Sequence, residues 1–152
     1  MVTDLIQEIL NTQGIEGITL LGGEPFEQAS EAAQLCIEAQ KNGLSVVVFT
    51  GFTLEELRDS DDPGVLQMMA EIDLLIDGPF IQEQLDYSRP WVGSKNQRYL
   101  FLTSRYSPAS IEKSRQRVEI RISESGEIVI NGMPDLNLQN ALRNCLEMDC
   151  II

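Results

Sequence analysis

Three short runs of apolar residues recur in the first half of the chain, and each stops at a turn that contains glycine. The runs are residues 18–21 (ITLL), 45–49 (SVVVF) and 73–76 (DLLI), and the turns are Gly22-Gly23, Thr50-Gly51 and Asp77-Gly78. Short apolar runs rich in β-branched residues are typical of buried strands. This alternation constrains the fold more than any other feature of the sequence.

Apolar residues at helical spacing fill the intervals between these runs. The expected helical faces are Val2, Leu5, Ile6, Ile9 and Leu10 after Thr3 as N-cap; Ala29, Ala32, Ala33, Cys36 and Ile37; and Val65, Leu66, Met69 and Ile72. Thr53-x-x-Glu56 has the pattern of a capping box at the start of a further helix. Strands that alternate with helices predict an α/β fold with a parallel sheet.

The pattern changes beyond Phe80. Residues 90–98 are polar and predict a surface loop before a short strand at 99–103, and residues 118–130 alternate as in a half-exposed hairpin. A C-terminal helix is expected to bury Leu138, Leu142, Cys145 and Leu146. We therefore expect a core over residues 1–103 and a hairpin-and-helix extension of the same domain over residues 104–152.

Charge and length limit the classes of partner. The 152 residues fit one domain, and 24 acidic against 11 basic residues give a formal net charge of -13. A surface of this sign repels phosphate backbones and anionic lipid, so neither nucleic acid nor membrane is expected as a partner. With no basic leader and no long apolar span in the sequence, the expectation is a soluble cytoplasmic protein.

Cysteine and histidine content limits the chemistry. The three cysteines, Cys36, Cys145 and Cys150, are an odd number in a chain of this length, which favours free thiols in a reducing compartment. The sequence contains no histidine, which excludes Ser-His-Asp and Cys-His catalysis and the usual zinc sites within it. Catalytic groups and metal ligands are not identifiable from the residue types, so any chemistry depends on carboxylates, backbone or a bound cofactor.

The candidate ligand site follows from the topology. Ligands of parallel α/β sheets bind where the carboxyl ends of the strands meet loops and helix N-termini. These ends carry Gly22, Gly23, Glu24, Thr50 and Asp77. Two simpler interpretations stay open: the glycines and Asp77 serve only to form turns and caps, and Glu24 is a solvated acid in a first helical turn.

Four segments resemble radical S-adenosylmethionine (radical SAM) enzymes of the glycyl-radical activating type. Residues 17–28 (GITLLGGEPFEQ) are similar to the GGEP segment of the superfamily, and residues 47–57 (VVFTGFTLEEL) resemble the strand and helix that follow it. Residues 73–80 (DLLIDGPF) and 91–98 (WVGSKNQR) are similar to segments of the small activases for anaerobic ribonucleotide reductase and their relatives, including the activase of pyruvate formate-lyase.

The resemblance implies a partial (β/α) barrel-like core, a bound 4Fe-4S cluster and S-adenosylmethionine as cofactor. It implies that Gly22, Gly23 and Glu24 contact the amino end of S-adenosylmethionine, and that Thr50 and Asp77 line the same pocket. The implied reaction is reductive cleavage of S-adenosylmethionine to a radical that takes hydrogen from a glycine of a partner enzyme. A flavodoxin or ferredoxin is the implied electron donor.

The loop over residues 91–98 is given a weaker role by the same resemblance. It lies in the part of the family's chain expected near the partner protein, so Ser94, Asn96 and Arg98 are candidate partner-binding residues. A solvated surface loop with no partner is the alternative.

The chain departs from the family at the cluster. Family members carry a Cys-x3-Cys-x2-Cys loop upstream of the Gly-Gly-Glu turn, whose three thiolates hold the cluster. No cysteine precedes Gly22 here, and Cys145-x4-Cys150 has only two ligands at another spacing. The expectation is a truncated or misassigned start that lacks the first strand and leaves the chain inactive alone.

Two alternatives differ in class. The first is a non-catalytic α/β module that keeps the pocket as a binding or scaffold surface. The second, a doubly wound small-ligand binder of the receiver type, is disfavoured because no acidic cluster ends the first strand. Metal-dependent binding at Glu24 or Asp77, without a response to S-adenosylmethionine, would favour this second alternative.

Overall fold

The computed structural model describes residues 2–86, 88–113, 118–122 and 128–132, with residues 137, 140, 141 and 144. The chain divides into two compact units. The first comprises Met1–Leu85 and Val92–Ser107, and the second comprises Asp86–Trp91 and Pro108–Ile152. The candidate site lies entirely within the first unit.

A four-stranded sheet forms the centre of the first unit. Its strands are β1 (Gly17–Leu20), β2 (Ser45–Phe49), β3 (Leu74–Asp77) and β4 (Arg98–Phe101), in the spatial order in which they follow one another along the chain. β1, β2 and β3 are parallel neighbours, with Ile18 paired to Val46 and Val48 paired to Leu75. The predicted parallel arrangement of these three strands is confirmed.

The fourth strand is antiparallel to the third. β4 pairs with β3 in the register Asp77 to Arg98 and Leu74 to Phe101, so Arg98 lies beside the last residue of β3. No helical crossover separates β3 from β4 in the way that α2 separates β1 from β2, which is why the chain can return in the opposite direction. The sheet is therefore mixed, whereas the sequence predicted a parallel one.

The described helices of the first unit are α1 (Val2–Asn11), α2 (Ala29–Lys41), α3 (Leu54–Arg58) and α4 (Pro63–Met69), with short 3-10 helices at Pro25–Gln28 and Gln82–Gln84. A further helix, α5 (Pro108–Lys113), belongs to the second unit. α1 begins before Thr3, so Thr3 is not its N-cap. The capping box at α3 is confirmed, because Thr53 and Glu56 exchange both side-chain-to-backbone bonds.

The apolar core lies between the parallel strands and helices α2, α3 and α4. Ala33 and Cys36 of α2 are fully buried against strand residues such as Val46 and Val48. In α4 the prediction was wrong at one position, because Leu66 is 54 % exposed while Met68 is fully buried. The short helix begins at Pro63, and this start turns Val65 and Met68 toward the sheet rather than Leu66.

Asp73 connects three elements at the amino end of β3. Its buried carboxylate accepts bonds from the Val46 amide (2.9 Å), the Gln40 side chain (2.9 Å) and the Thr103 hydroxyl (2.6 Å). Arg105 Nε lies 3.7 Å from the same carboxylate. A buried carboxylate needs such partners to offset the loss of water, and here they tie β2, α2 and the segment after β4 together.

A hairpin belongs to the second unit. β5 (Val118–Ile122) and β6 (Ile128–Gly132) pair antiparallel in a sheet of their own, as the alternating sequence predicted. The predicted buried positions of the C-terminal helix, Leu138, Leu142, Cys145 and Leu146, lie outside the described residues. Within the described part of the chain, no helix is both long and apolar enough to cross a membrane.

Candidate binding site at the carboxyl ends of the strands

The Gly22-Gly23 turn ends β1 with an unusual backbone. Gly22 and Gly23 have φ angles of 87° and 54°, in the left-handed region where side chains are disfavoured. A Cβ would meet nothing within 4 Å at Gly22 and only the Gln28 amide, at 3.8 Å, at Gly23. Backbone angle rather than crowding therefore calls for glycine here, and both residues leave their backbone exposed next to Glu24.

Three donors hold the Glu24 carboxylate. Its Oε1 accepts from the Thr50 hydroxyl at 2.8 Å and from the Phe26 amide at 3.2 Å, and its Oε2 accepts from the Gly51 amide at 2.9 Å. The residue is half-buried and caps the 3-10 helix that begins at Pro25. A carboxylate fixed in this way keeps further acceptor positions for a positively charged ligand.

The loop that follows β2 supplies two of those donors. The Thr50 amide donates to the Ile76 carbonyl at 3.0 Å, which extends the β2–β3 contact by one residue. The Thr50 hydroxyl also accepts from the Phe52 amide at 3.1 Å, which folds the loop back before the capping box at Thr53. Thr50 is only 5 % exposed, so its hydroxyl acts on Glu24 from beneath the surface.

Asp77 is fully buried at the end of β3. Its Oδ1 accepts from Arg98 Nε at 2.9 Å, and its Oδ2 accepts from the Leu54 amide at 2.8 Å and from Arg98 Nη2. The side chain thus caps α3 and binds a guanidinium with both oxygens. It is not exposed toward the rim, so the simpler interpretation of Asp77 as a cap describes its contacts in this structure.

Arg98 joins Asp77 to an acid on α3. Its Nη1 and Nη2 donate to the Glu55 carboxylate at 3.1 and 2.7 Å. The bonds that Arg98 donates, first to Asp77 and then to Glu55, raise its pKa above the usual value. The bond from Arg98, with a backbone bond at the helix start, lowers the pKa of Glu55 from 4.5 to about 2. Glu55 is not among the residues predicted from the sequence, although an acid in a first helical turn is a recognisable signal.

Ser94 is a structural residue. It is fully buried, and its hydroxyl accepts from the Ile81 amide at 3.2 Å. The Gln97 side chain accepts from the amides of Gly93 and Ser94 at 2.8 and 3.2 Å, which closes the loop on itself. The expected surface loop is therefore wrong at Ser94 and at the equally buried Val92.

Asn96 lies against the turn after β3. Its Nδ2 donates to the Pro79 carbonyl at 2.7 Å, and Gln97 Nε2 donates to the Gly78 carbonyl at 3.2 Å. The Asn96 Oδ1 atom is buried and has no partner among the described residues. Gly78 has a φ of 101°, a backbone angle that favours glycine at this turn. Loop and turn therefore form one bonded unit at the carboxyl end of β3.

A shallow groove of about 310 Å³ reaches this rim from the side of α1 and α2. It is mostly apolar and includes the Gly22 turn. Its main lining residues are Val2, Leu5, Leu20, Leu21, Pro25 and Leu35. Leu21 is 71 % exposed there, so the rim of the candidate site is apolar on this side.

Cys36 does not fit as a ligand of a 4Fe-4S cluster. Cys36 is fully buried in the core, and burial, with the nearby charge of Glu71, raises the pKa of its thiol to about 12. Cluster ligands must be thiolates, and three are needed. Cys145 and Cys150 lie outside the described residues, and within the described part no group of three potential ligands lies together. Without Cys36, the sequence offers only two thiols.

The structure brings together most of the residues expected at the site. Glu24 and Thr50 are in direct contact, and Asp77 is linked to them through residues 50–54. Arg98, a candidate partner-binding residue, binds Asp77 and Glu55 within the chain. The Gly51 amide is a donor that was not predicted from the sequence, because any residue other than proline has a backbone amide and its type does not show whether that amide binds a side chain.

Comparison with known proteins agrees with the resemblance in the sequence. The chain is 38 % identical over 85 residues to the anaerobic ribonucleoside-triphosphate reductase-activating protein of Vibrio cholerae, covering 53 % of this chain and 52 % of the relative. The proteins of the same name from Haemophilus influenzae and Escherichia coli K12 are 38 % and 35 % identical over 86 residues, each covering 54 % of this chain and 53 % of the relative.

The chain thus spans about half the length of the curated relatives it matches. No solved structure matches it at a significant level. The family model described as a 4Fe-4S single cluster domain matches residues 1–100, about two thirds of the chain, which includes β1 to β3 and all residues of the candidate site. The chain therefore belongs to the family of 4Fe-4S single cluster domains and is similar to activating proteins of anaerobic ribonucleotide reductases.

Proposed function

We propose that the rim formed by the carboxyl ends of β1 and β2 binds S-adenosylmethionine by its amino end. The observation that carries this proposal is the Glu24 carboxylate, held by three donors beside the exposed Gly22-Gly23 backbone. An ammonium group is a strong partner for a carboxylate whose direction is already fixed. The absence of Cβ atoms at the two glycines leaves their carbonyls open to the same group.

Thr50 and Asp77 would support this site without contacting the ligand. Both were expected to line the pocket, but Thr50 is 5 % exposed and Asp77 is fully buried. Their proposed part is to hold Glu24 and the loop after β2 in place. The apolar groove beside Gly22 offers room for an uncharged part of a ligand.

We further propose that the chain acts in the activation of a partner reductase, as the names of its relatives indicate for them. In this class, S-adenosylmethionine is cleaved reductively and a glycine of the partner loses hydrogen, with flavodoxin or ferredoxin as the electron donor. The sheet would then be part of a barrel-like core. Because residues 1–152 do not supply three suitable thiolates, we propose that they are inactive alone.

The test is calorimetric titration of residues 1–152 with S-adenosylmethionine and with 5'-methylthioadenosine, which lacks the amino acid part. Glu24→Gln should weaken S-adenosylmethionine binding about tenfold, since a bond to a charged group is lost. Glu27→Gln, a change at an exposed acid three residues away, is the matched control and should leave binding unchanged. Equal binding of the two ligands, or an unchanged affinity in Glu24→Gln, would contradict the proposal.

A second function, that of a non-catalytic binding or scaffold module, is favoured by one observation. The core position of Cys36 leaves the sequence without a three-thiolate site. Such a module should bind its partner protein equally well with and without S-adenosylmethionine. An affinity for the partner that rises when S-adenosylmethionine is present would exclude it.

A further inference from the structure

Arg98 and Asp77 lie behind the proposed binding rim, not on it. Asp77 is fully buried, and the Arg98 guanidinium binds both of its oxygens. A buried carboxylate that binds a planar guanidinium at two points has little freedom to rotate. The pair therefore offers a fixed acceptor at the end of β3.

Three bonds, one of them to Asp77, join the end of β3 and the turn after it to the neighbouring loop. The Leu54 amide donates to Asp77 Oδ2 at 2.8 Å, the Gly78 amide donates to the Phe52 carbonyl at 2.9 Å, and the Thr50 amide donates to the Ile76 carbonyl at 3.0 Å. They attach residues 50–54 at their start, middle and end to the last residues of β3 and the turn that follows. The loop cannot shift as a body without breaking several of them.

The same loop fixes the orientation of the Glu24 side chain. The Thr50 hydroxyl and the Gly51 amide supply two of the three bonds that the Glu24 carboxylate accepts. A displacement of the loop would change the direction of that carboxylate even though neither Asp77 nor Arg98 touches it.

We infer that Arg98 and Asp77 are positioning residues that set the orientation of Glu24 through residues 50–54. The inference rests on the proposed function for its ligand, S-adenosylmethionine, but its geometric part concerns Glu24 and the loop alone. It differs from the role expected for Arg98 in partner binding. It also gives Asp77 a role without direct ligand contact.

The first experiment compares two arginines, each next to a buried aspartate. Arg98 binds Asp77 at the carboxyl end of β3, and Arg105 lies near Asp73 at its amino end. Arg98→Met removes the guanidinium at the site, and Arg105→Met removes the one near Asp73. We expect Arg98→Met to weaken S-adenosylmethionine binding about tenfold and Arg105→Met to change it less than about twofold. Binding in Arg98→Met within about twofold of the wild type would overturn the inference.

Hydrogen exchange supplies a readout that does not depend on the ligand. In Arg98→Met the amides of Gly51, Leu54 and Gly78 should exchange at least about tenfold faster, while those of β2 keep their protection. Arg105→Met should not accelerate these three amides selectively. A uniform rise across the sheet in Arg98→Met would indicate a general stability effect and would overturn the inference.

A double variant addresses the case in which Arg98→Met fails to fold. Asp77→Asn with Arg98→Met leaves no unpaired buried charge and keeps an acceptor for the Leu54 amide. We expect the Gly51 amide to remain rapidly exchanging in it, because the two-point contact is still absent. Wild-type exchange and affinity in the double variant would overturn the role of Arg98. If the wild type binds no S-adenosylmethionine, the proposed function fails while the exchange of Gly51 still decides the positioning role.

Discussion

The Thr50 hydroxyl lies 2.8 Å from Oε1 of Glu24, joining two residues that are 26 positions apart in the sequence. The contact links the ends of β1 and β2, which are adjacent parallel strands. It also accounts for why the acid after a Gly-Gly turn is held in one direction rather than solvated freely. The rim is therefore a bonded structure and not a set of independent turns.

Thr50→Val tests the importance of that hydroxyl. Valine keeps the shape but removes the donor to Glu24 and the acceptor for the Phe52 amide, so stability should fall by about 1–3 kcal/mol. Urea denaturation followed by circular dichroism measures the loss. Thr19→Val, at an exposed position of β1, is the control and should change stability by no more than about 0.5 kcal/mol. Equal effects of the two changes would contradict the assigned role of Thr50.

Gly17→Ala tests the close approach of β1 and β2. A Cβ at Gly17 would lie 2.0 Å from the Ser45 Oγ and 2.5 Å from the Ser45 carbonyl oxygen, so backbone must move. We expect a loss of about 1–3 kcal/mol in thermal or chemical denaturation, as for other overpacked sites. Adding Ser45→Ala to Gly17→Ala removes the hydroxyl and should restore only part of the lost stability, because the contact with the Ser45 carbonyl oxygen remains. Full restoration would show that only the side chain is crowded.

The lowered pKa of Glu55 should make the stability of the fold depend on pH. Arg98 lowers the pKa of Glu55 from 4.5 to about 2, so the folded state holds its proton less tightly than the unfolded state. The stabilising contribution is complete above pH 4.5 and is lost as the pH falls toward 2. Glu55→Gln should remove this part of the acid dependence, and carbon NMR of the Glu55 carboxylate measures its titration directly. A carboxylate that titrates near pH 4.5 would contradict the contact with Arg98.

Residues 1–152 should not hold a 4Fe-4S cluster. Only three cysteines are present, and the Cys36 thiol is buried with its pKa raised to about 12. After anaerobic reconstitution with iron and sulfide, the purified chain should be colourless and should produce no 5'-deoxyadenosine under reductant. Cys36→Ala should behave in the same way. A cluster spectrum that disappears in Cys36→Ala would show that the core thiol is a ligand after all.

The strand ends could be predicted because their signals are local. Apolar runs that stop at glycine locate β1, β2 and β3, and parallel order places Glu24 and Thr50 at one edge. The capping box at Thr53 is a local pattern as well, and it is present in the structure.

Long-range contacts account for what the sequence did not reveal. The antiparallel β4 brings Arg98 beside Asp77, 21 residues away, and no local pattern distinguishes this pairing from a solvated loop. Ser94 is buried and bonded to the Ile81 amide and the Gln97 side chain, and the residue types of the loop do not predict these contacts. Residues in loops that fold onto a sheet edge are therefore the hardest to assign from pattern alone.

The most direct test of the proposed site is to map S-adenosylmethionine onto the labelled chain by nitrogen-proton NMR. We expect the amide signals of Gly22, Gly23 and Gly51 to shift on titration, and Glu24→Gln to reduce these shifts strongly. Amides at the opposite end of the sheet, such as Val46, should stay unchanged. Shifts that are absent at all three glycines, or that persist unchanged in Glu24→Gln, would contradict the assignment of this rim as the binding site.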